Sequence, residues 1–249
     1  MKSFVTKGVK IAYEVMGQGD PILLIHGFAS NANVNWRDTG WVKTLESAGR
    51  SVILIDNRGH GESEKLYDVK DYGAPLMATD AVALLDHLGL EQVDIMGYSM
   101  GARISAFMSI NHGNYVRRAI FAGLGINMVK GVGDSEPVAQ ALEAEVIDDI
   151  ANPGARLFRL FAEQTKSDLK ALAACMRSSR QKITPEQLST IDFPVLVAVG
   201  SEDGIAGSAS ELAHLIPDAQ VLDIPGRDHM KAVGDKIYKQ GVVEFLSQT

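Results

Sequence analysis

The stretch Val93-Asp94-Ile95-Met96-Gly97-Tyr98-Ser99-Met100-Gly101 decides the fold, because two different sequence patterns meet in it. An apolar run typical of a buried strand ends at Gly97, and apolar residues at helical spacing begin directly after Ser99. The pattern G-x-S-x-G at such a junction predicts a tight turn that lifts the serine hydroxyl out of a sheet. Glycines two residues on either side of Ser99 leave room for that turn. The first N–H groups of the helix would then point at whatever the hydroxyl attacks.

Further apolar runs predict the other strands of the same sheet. The run at residues 21–25 is fully apolar, as expected for a strand that is buried on both faces of a parallel sheet. Helical patterns separate the runs, so the chain is predicted to be of the α/β class with a doubly wound, mostly parallel sheet. Apolar and polar residues alternate on both sides of Lys7-Gly8, which predicts an edge hairpin before these runs. The runs cover residues 21–25, 51–56, 117–121, 193–199 and 219–224.

Composition and charge exclude several classes of function. The 249 residues carry a formal net charge of -7, which argues against nucleic acid or an anionic membrane surface as a partner. Cys175 is the only cysteine, so no intrachain disulfide is expected. We find no secretion signal, no apolar run long enough to span a bilayer, no metal-ligand cluster and no phosphate-binding loop. We therefore expect a cytoplasmic protein without metal or organic cofactor; its oligomeric state is left open.

Polar motifs follow the predicted strands in a fixed order along the chain. His26-Gly27-Phe28 comes after the run at residues 21–25, and Asp56-Asn57-Arg58-Gly59-His60-Gly61-Glu62-Ser63 completes the next run. The serine turn is third. Gly200-Ser201-Glu202-Asp203 and Pro225-Gly226-Arg227-Asp228-His229 follow the last two strands. Since the carboxyl ends of parallel strands share one edge of a sheet, these motifs are expected at the rim where such sheets bind ligands.

This set of motifs resembles the α/β-hydrolase family, and the resemblance runs nearly from end to end. It implies the α/β-hydrolase fold, with a mostly parallel sheet of about eight strands. Residues 1–123 and 188–249 would form the core, and residues 124–187, which carry helix signals only, would form a small helical cap over the serine. Within that cap, Ser135 predicts the start of a helix reaching Ile150, which Asn152-Pro153-Gly154 would stop.

Three residues are predicted to form a catalytic triad. A serine hydroxyl is a poor nucleophile and needs a base within hydrogen-bond reach. The order Ser99, Asp203, His229 matches the α/β-hydrolase arrangement, with Asp203 on the family's G-x-x-D turn. His229 would take the proton from Ser99 and Asp203 would hold the imidazole in the right tautomer. His26 and His60 also lie on loops after strands, but we expect both to be structural.

The resemblance also implies the groups around the triad. The backbone N–H groups of Phe28 and Met100 would form the oxyanion hole, which holds the negative oxygen of the reacting carbonyl. Phe28, Tyr98 and Arg177 are candidate residues of the substrate pocket. Asp228, directly before the histidine, is a possible competitor for its ring.

The predicted function is hydrolysis of a small carboxylic ester or lactone through an acyl-enzyme. The short cap is expected to leave an open pocket, which favours simple esters or lactones. A serine at position 99 disfavours the branches of this fold that use a carboxylate nucleophile. Enol-lactonase, carbon–carbon bond hydrolase and cofactor-free haloperoxidase or perhydrolase activities share these motifs and stay open. A receptor-like protein that binds a ligand and turns it over slowly is the alternative from another class.

Overall fold

A computed structural model describes residues 1–248 of the chain. Eight strands of this part of the chain form one sheet, in the order β1-β2-β4-β3-β5-β6-β7-β8. Along the chain the strands are β1 (Lys2–Thr6), β2 (Val9–Met16), β3 (Asp20–Ile25), β4 (Arg50–Ile55), β5 (Val93–Tyr98), β6 (Val116–Ala122), β7 (Val195–Gly200) and β8 (Ala219–Ile224).

The sheet is parallel except at one edge. Strands β3 to β8 pair in parallel, whereas β1 pairs with β2, and β2 with β4, in antiparallel fashion. The prediction of a mostly parallel sheet of about eight strands is therefore confirmed. The edge hairpin turns at Lys7 and Gly8, whose φ angles of 48° and 81° match the turn type that suits the twist of a two-residue hairpin.

The strand order brings the polar motifs together. Strand β3 lies between β4 and β5, and Ile25 at its end is in register with Gly97 on β5. The loop after β3 and the serine turn after β5 are consequently neighbours at the carboxyl edge of the sheet. Ligands bind at this edge in open α/β sheets, at the point where the strand order reverses.

Helices cover both faces of the sheet. Along the chain they are α1 (Trp41–Ser47), α2 (Ala74–Leu88), α3 (Met100–Asn111), α4 (Asn127–Lys130), α5 (Glu136–Glu143), α6 (Pro153–Gln164), α7 (Leu169–Ser178), α8 (Pro185–Leu188), α9 (Ala209–Ala213), α10 (His229–Ala232) and α11 (Lys236–Ser247). Leu23 and Ile25 of β3 pack in one core with α2 and α3, and Ile22 and Leu24 pack in the other with α1 and α11. Two buried faces explain why this strand is apolar throughout.

Helices α4 to α8 lie between β6 and β7, and all but the last residue of α8 falls within the residues predicted to form the cap. The helix predicted from Ser135 to Ile150 is wrong in its length, because α5 ends at Glu143. Nη1 of the buried Arg159 donates to the carbonyl oxygens of Ala141, Leu142 and Ala144, at 2.9, 3.2 and 2.7 Å respectively. These carbonyls at a helix end need partners, and a guanidinium from α6 supplies them.

The sequence Asn152-Pro153-Gly154 starts a helix, whereas it was predicted to stop one. Asn152 Oδ1 accepts a hydrogen bond from Ala155 N at 3.0 Å, and Pro153 is the first residue of α6. Proline suits this position because its missing N–H would have no helical partner there. The division into a core and a cap remains a prediction. Across residues 1–248, no helix combines the length and the apolar character that crossing a membrane requires.

Candidate active site

The turn between β5 and α3 holds Ser99 in a strained backbone conformation. Its φ is 57°, a backbone angle that residues other than glycine rarely adopt and that recurs at functional sites. The glycines on either side are required by close packing. A Cβ on Gly97 would lie 2.1 Å from the carbonyl oxygen of Gly101, and a Cβ on Gly101 would lie 1.9 Å from that of Ile25. Backbone atoms cannot move aside easily, so the sequence pattern predicted this turn correctly.

Ser99, His229 and Asp203 form a continuous chain of hydrogen bonds. Ser99 Oγ lies 3.0 Å from His229 Nε2, and His229 Nδ1 lies 2.7 Å from Asp203 Oδ2. The other carboxylate oxygen, Asp203 Oδ1, accepts from the N–H groups of Ile205 and Ala206, each at 3.0 Å. Because Asp203 is acceptor-only when ionised, the proton of the imidazole belongs on Nδ1. The Nε2 lone pair is then free to accept from the Ser99 hydroxyl.

Asp228 does not compete for the imidazole. It is the N-cap of α10, where its Oδ1 accepts from the N–H groups of Met230 and Lys231 at 3.1 and 2.9 Å. Its Oδ2 pairs with Lys231 Nζ at 2.9 Å, and these hydrogen bonds lower the pKa of Asp228. The residue therefore fixes the start of the short helix that carries His229.

Tyr98 holds the backbone at His229 by a hydrogen bond, which corrects its assignment to the substrate pocket. The side chain is buried, and its hydroxyl donates to the backbone carbonyl of His229 at 2.6 Å. Burial raises the pKa of Tyr98, so the phenol stays protonated and keeps this bond. Sequence reasoning missed the role because the partner lies 131 positions further along the chain.

The N–H groups of Phe28 and Met100 are free to bind a ligand. Within residues 1–248, neither donates to a protein acceptor. The peptide between Gly27 and Phe28 is held in place by its carbonyl oxygen, which accepts from His26 Nδ1 at 2.8 Å. His26 Nε2 in turn accepts from Asn57 N at 3.0 Å, which fixes the proton on Nδ1. A buried histidine thus fixes the orientation of the peptide that carries the Phe28 N–H.

His26 and His60 are both fully buried and neutral. Burial lowers the pKa of His26 to about 4. Burial, followed by the proximity of His26, lowers the pKa of His60 to about 3. His60 Nδ1 donates to the carbonyl of Arg58 at 2.9 Å, so its ring holds the loop after β4. Neither ring hydrogen-bonds to Ser99, in keeping with the structural role expected for both.

Aromatic and sulfur-containing side chains pack on Phe28 and Met100, the residues of the proposed oxyanion donors. The ring of Phe28 meets that of Phe158, from α6, edge to face at 6.0 Å between centroids, and Met100 Sδ lies 4.0 Å from Cys175 Sγ. Phe28 and Met100 are each less than a tenth exposed, whereas Ser99 is half-buried. Sequence reasoning missed Phe158, whose partner lies 130 residues away in the chain.

Arg177 joins helices α5 and α7, which corrects its assignment to the substrate pocket. Its guanidinium, on α7, forms bidentate pairs with Glu136 and Glu143 of α5 at distances from 2.7 to 2.9 Å. These hydrogen bonds raise its pKa. Its side chain lines a groove of about 680 Å³ together with Tyr67, Val69, Glu143, Asp168, Lys170 and Ala174, a set that contains no residue of the triad.

A family comparison identifies the fold. A family model described as alpha/beta hydrolase fold matches residues 20–176, which is more than half of the chain. The chain belongs to the α/β-hydrolase family. In this α/β hydrolase, the matched segment carries the loop after β3, the serine turn, helices α4 to α6 and most of α7. Asp203 and His229 lie beyond it.

Within residues 1–248, no cluster of three or more His, Cys, Asp or Glu side chains is arranged to hold a metal ion.

Known relatives of this α/β hydrolase differ in their named activities. The non-heme chloroperoxidase CPO-A1 of Kitasatospora aureofaciens is 26% identical over 97% of both chains. The 2-hydroxymuconate semialdehyde hydrolase of Pseudomonas sp. (strain CF600) is 30% identical over 57% of this chain and 47% of its own length. Among solved structures, the enol-lactonase of Burkholderia xenovorans LB400 superposes with a TM-score of 0.82 at 20% identity, covering 99% of this chain and all of that one.

Proposed function

We propose that this α/β hydrolase cleaves a small carboxylic ester or lactone through an acyl-enzyme intermediate. The observation that carries the proposal is the unbroken hydrogen-bond chain from Ser99 Oγ through His229 to Asp203, with links of 3.0 and 2.7 Å. It gives the serine a base, and gives the base a fixed tautomer.

In the first half of the reaction, Ser99 Oγ attacks the carbonyl carbon of the substrate and its proton passes to His229 Nε2. The carbonyl oxygen becomes an oxyanion, which the N–H groups of Phe28 and Met100 stabilise by two hydrogen bonds. The carbon–oxygen bond to the leaving alcohol then breaks, and His229 returns the proton to that alcohol. Asp203 stabilises the imidazolium while the proton is on the ring. The acyl group is left as an ester on Ser99.

In the second half, water takes the place of the alcohol. His229 removes a proton from the water, whose oxygen attacks the acyl carbon of the intermediate. The same two N–H groups hold the second oxyanion. The bond to Ser99 Oγ breaks, and His229 returns the proton to the serine, which releases the carboxylic acid.

The lining of the site favours an uncharged, compact acyl group. The two proposed oxyanion donors belong to residues with apolar side chains, Phe28 and Met100, and Phe158 packs on Phe28. The guanidinium of Arg177 pairs with Glu136 and Glu143 and lines a groove without any triad residue, so it offers no free charge to an anionic substrate group at Ser99. Burying an unpaired carboxylate of the substrate here would cost several kcal/mol. Neutral short-chain esters and lactones fit this surface best.

The proposal is tested with p-nitrophenyl acetate and butyrate. The wild type is expected to release nitrophenol continuously, and Ser99→Ala to lose at least ~10³-fold in kcat. Ser189→Ala is the matched control for a serine change, because Ser189 is exposed and its hydroxyl donates only to Glu186 O, three residues before it. It should match the wild type. Turnover surviving in Ser99→Ala would exclude the acyl-enzyme mechanism, and a single burst without steady turnover would favour a slow, receptor-like protein.

A perhydrolase or haloperoxidase activity is the second candidate. It is supported by the named activity of the chloroperoxidase relative, which matches this chain over 97% of both sequences. In that reaction hydrogen peroxide would replace water as the nucleophile on the acyl-enzyme and release a peracid. Comparing peracid formation from acetate and peroxide with hydrolysis of enol-lactones and of ring-cleavage products separates this activity from lactonase and carbon–carbon hydrolase chemistry.

A further inference from the structure

We propose that Thr165 is a positioning residue for the oxyanion hole, acting through a hydrogen bond from the cap to the loop after β3. Thr165 Oγ1 donates to the carbonyl oxygen of Ala29 at 2.8 Å, across 136 positions of sequence. Ala162 O on α6 lies at 3.1 Å and is the longer alternative acceptor for the same proton. Ala29 directly follows Phe28, whose N–H is one of the two proposed oxyanion donors. This inference rests on the function proposed above.

The loop that receives this bond needs an external restraint. Ala29 has a φ of 57°, in the left-handed region that is unfavourable for a residue with a Cβ. Alanine has no polar side chain to stabilise that conformation locally. Inside the loop, the backbone bond from Ser30 N to Gly27 O is long, at 3.3 Å. A strained backbone persists only where its surroundings hold it, and the Thr165 hydroxyl bonds directly to the strained residue.

Thr165 is itself held firmly at the end of α6. Lys166 has a φ of 54°, and Ser167 N donates to Ala162 O at 2.9 Å, which is the pattern of a Schellman helix end. Ser167 Oγ lies 2.9 Å from Thr165 Oγ1 and is able to donate to it while Thr165 donates to the loop. The hydroxyl is thus presented by a rigid helix end, not by a mobile side chain.

Together these contacts restrain residues 27–29 of the loop after β3 from two sides. From the core, His26 holds the carbonyl of Gly27 and Asn35 Oδ1 accepts from the Gly27 N–H at 3.1 Å. From the cap, Thr165 holds the carbonyl of Ala29, and α6 also packs Phe158 on Phe28. The donor N–H of Phe28 lies between the two attachment points. The cap would therefore contribute to oxyanion stabilisation as well as cover the serine.

The test compares Thr165→Val, which keeps the shape and removes the hydroxyl, with Thr165→Ser, which keeps the hydroxyl. Thr79→Val is the matched control, because Thr79 is also partly buried and its hydroxyl bonds only to Leu76 O in its own helix. With p-nitrophenyl acetate, we expect Thr165→Val to lower kcat roughly 10-fold with KM changed less than twofold. Affinity for a boronic acid that forms a tetrahedral adduct on Ser99 should fall in parallel. Thr165→Ser should recover most of both.

Amide hydrogen exchange of residues 28–30 makes the test independent of turnover. Exchange should be faster in Thr165→Val than in the wild type, Thr165→Ser and Thr79→Val. Equal exchange in all four proteins, or a Thr165→Val variant that matches Thr79→Val in kcat and boronate affinity, would overturn the proposal. Faster exchange in a protein whose wild type shows no esterase turnover would instead overturn the proposed function and leave the coupling of Thr165 to the loop in place.

Discussion

At the scale of single residues, the proposed chemistry depends on the carboxylate of Asp203. One of its oxygens accepts two backbone N–H groups and the other faces His229 Nδ1. Asparagine at this position would keep the backbone bonds through Oδ1. Its Nδ2 would then face the imidazole as a donor and favour the tautomer with the proton on Nε2, which cannot accept the proton of Ser99.

We therefore expect Asp203→Asn to fold normally and to lose ~10³- to 10⁴-fold in kcat for p-nitrophenyl acetate. Asp223→Asn, at an exposed position on β8, is the control and should leave kcat unchanged. A loss of less than tenfold in Asp203→Asn would mean that Asp203 does not orient the histidine.

Local patterns identified Ser99, Asp203 and His229 in the sequence, because each sits on a turn that follows a predicted strand. Tyr98 and Arg177 were assigned to the wrong surroundings. Tyr98 bonds to the carbonyl of His229, and Arg177 pairs with Glu136 and Glu143. Both outcomes depend on partners that lie far away along the chain. The direction of a side chain is set by such tertiary partners, and no local pattern reveals it.

At the scale of secondary-structure elements, the fold is set by the fit of α3 against β3. Gly101 lets the helix approach the strand so closely that a Cβ would lie 1.9 Å from Ile25 O. Gly101→Ala should destabilise the protein by ~3 kcal/mol, since the contact is with backbone that cannot rotate away. Gly204→Ala is the control, because a Cβ there meets nothing within 4 Å. Urea unfolding measures both. Equal stability of the two variants would contradict the packing described for the turn.

The strands and the serine turn were predictable from short stretches of sequence. Burial on two faces requires a run of apolar residues, and the tight turn requires glycines at fixed spacing. The boundary between α5 and α6 was not, although the region was correctly predicted to be helical. Four-residue spacing of apolar residues continues past Glu143, but Arg159 takes the carbonyls that would extend α5. When a side chain of the next helix caps a helix end, the residues at that end carry no sequence pattern that predicts it.

At the scale of the whole molecule, His26 and His60 link stability to pH. Their pKa values in the folded protein are about 4 and about 3, below the ordinary value of 6.5, because both rings are buried. The unfolded chain therefore binds more protons below pH 6.5. Their contribution to stability is complete above that pH and is lost as the pH falls towards 4, at about 1.4 kcal/mol per pH unit for each ring.

Urea unfolding between pH 7 and pH 5 should show this loss as a slope of the free energy of unfolding against pH. His60→Asn should reduce that slope by the amount that corresponds to about one proton, ~1.4 kcal/mol per pH unit. His214→Asn, which changes an exposed histidine, should keep the wild-type slope. The prediction concerns the slope, so a general loss of stability in His60→Asn does not obscure it. Identical slopes in the wild type and His60→Asn would show that His60 is not held neutral by burial.

The measurement that tests the acyl-enzyme most directly is the intact mass of the protein, quenched in acid during turnover of p-nitrophenyl butyrate. The mechanism predicts a mass increase of one butyryl group, carried by the peptide that contains Ser99 and absent in Ser99→Ala. An unmodified protein during rapid turnover, or an acyl group on any other residue, would contradict it.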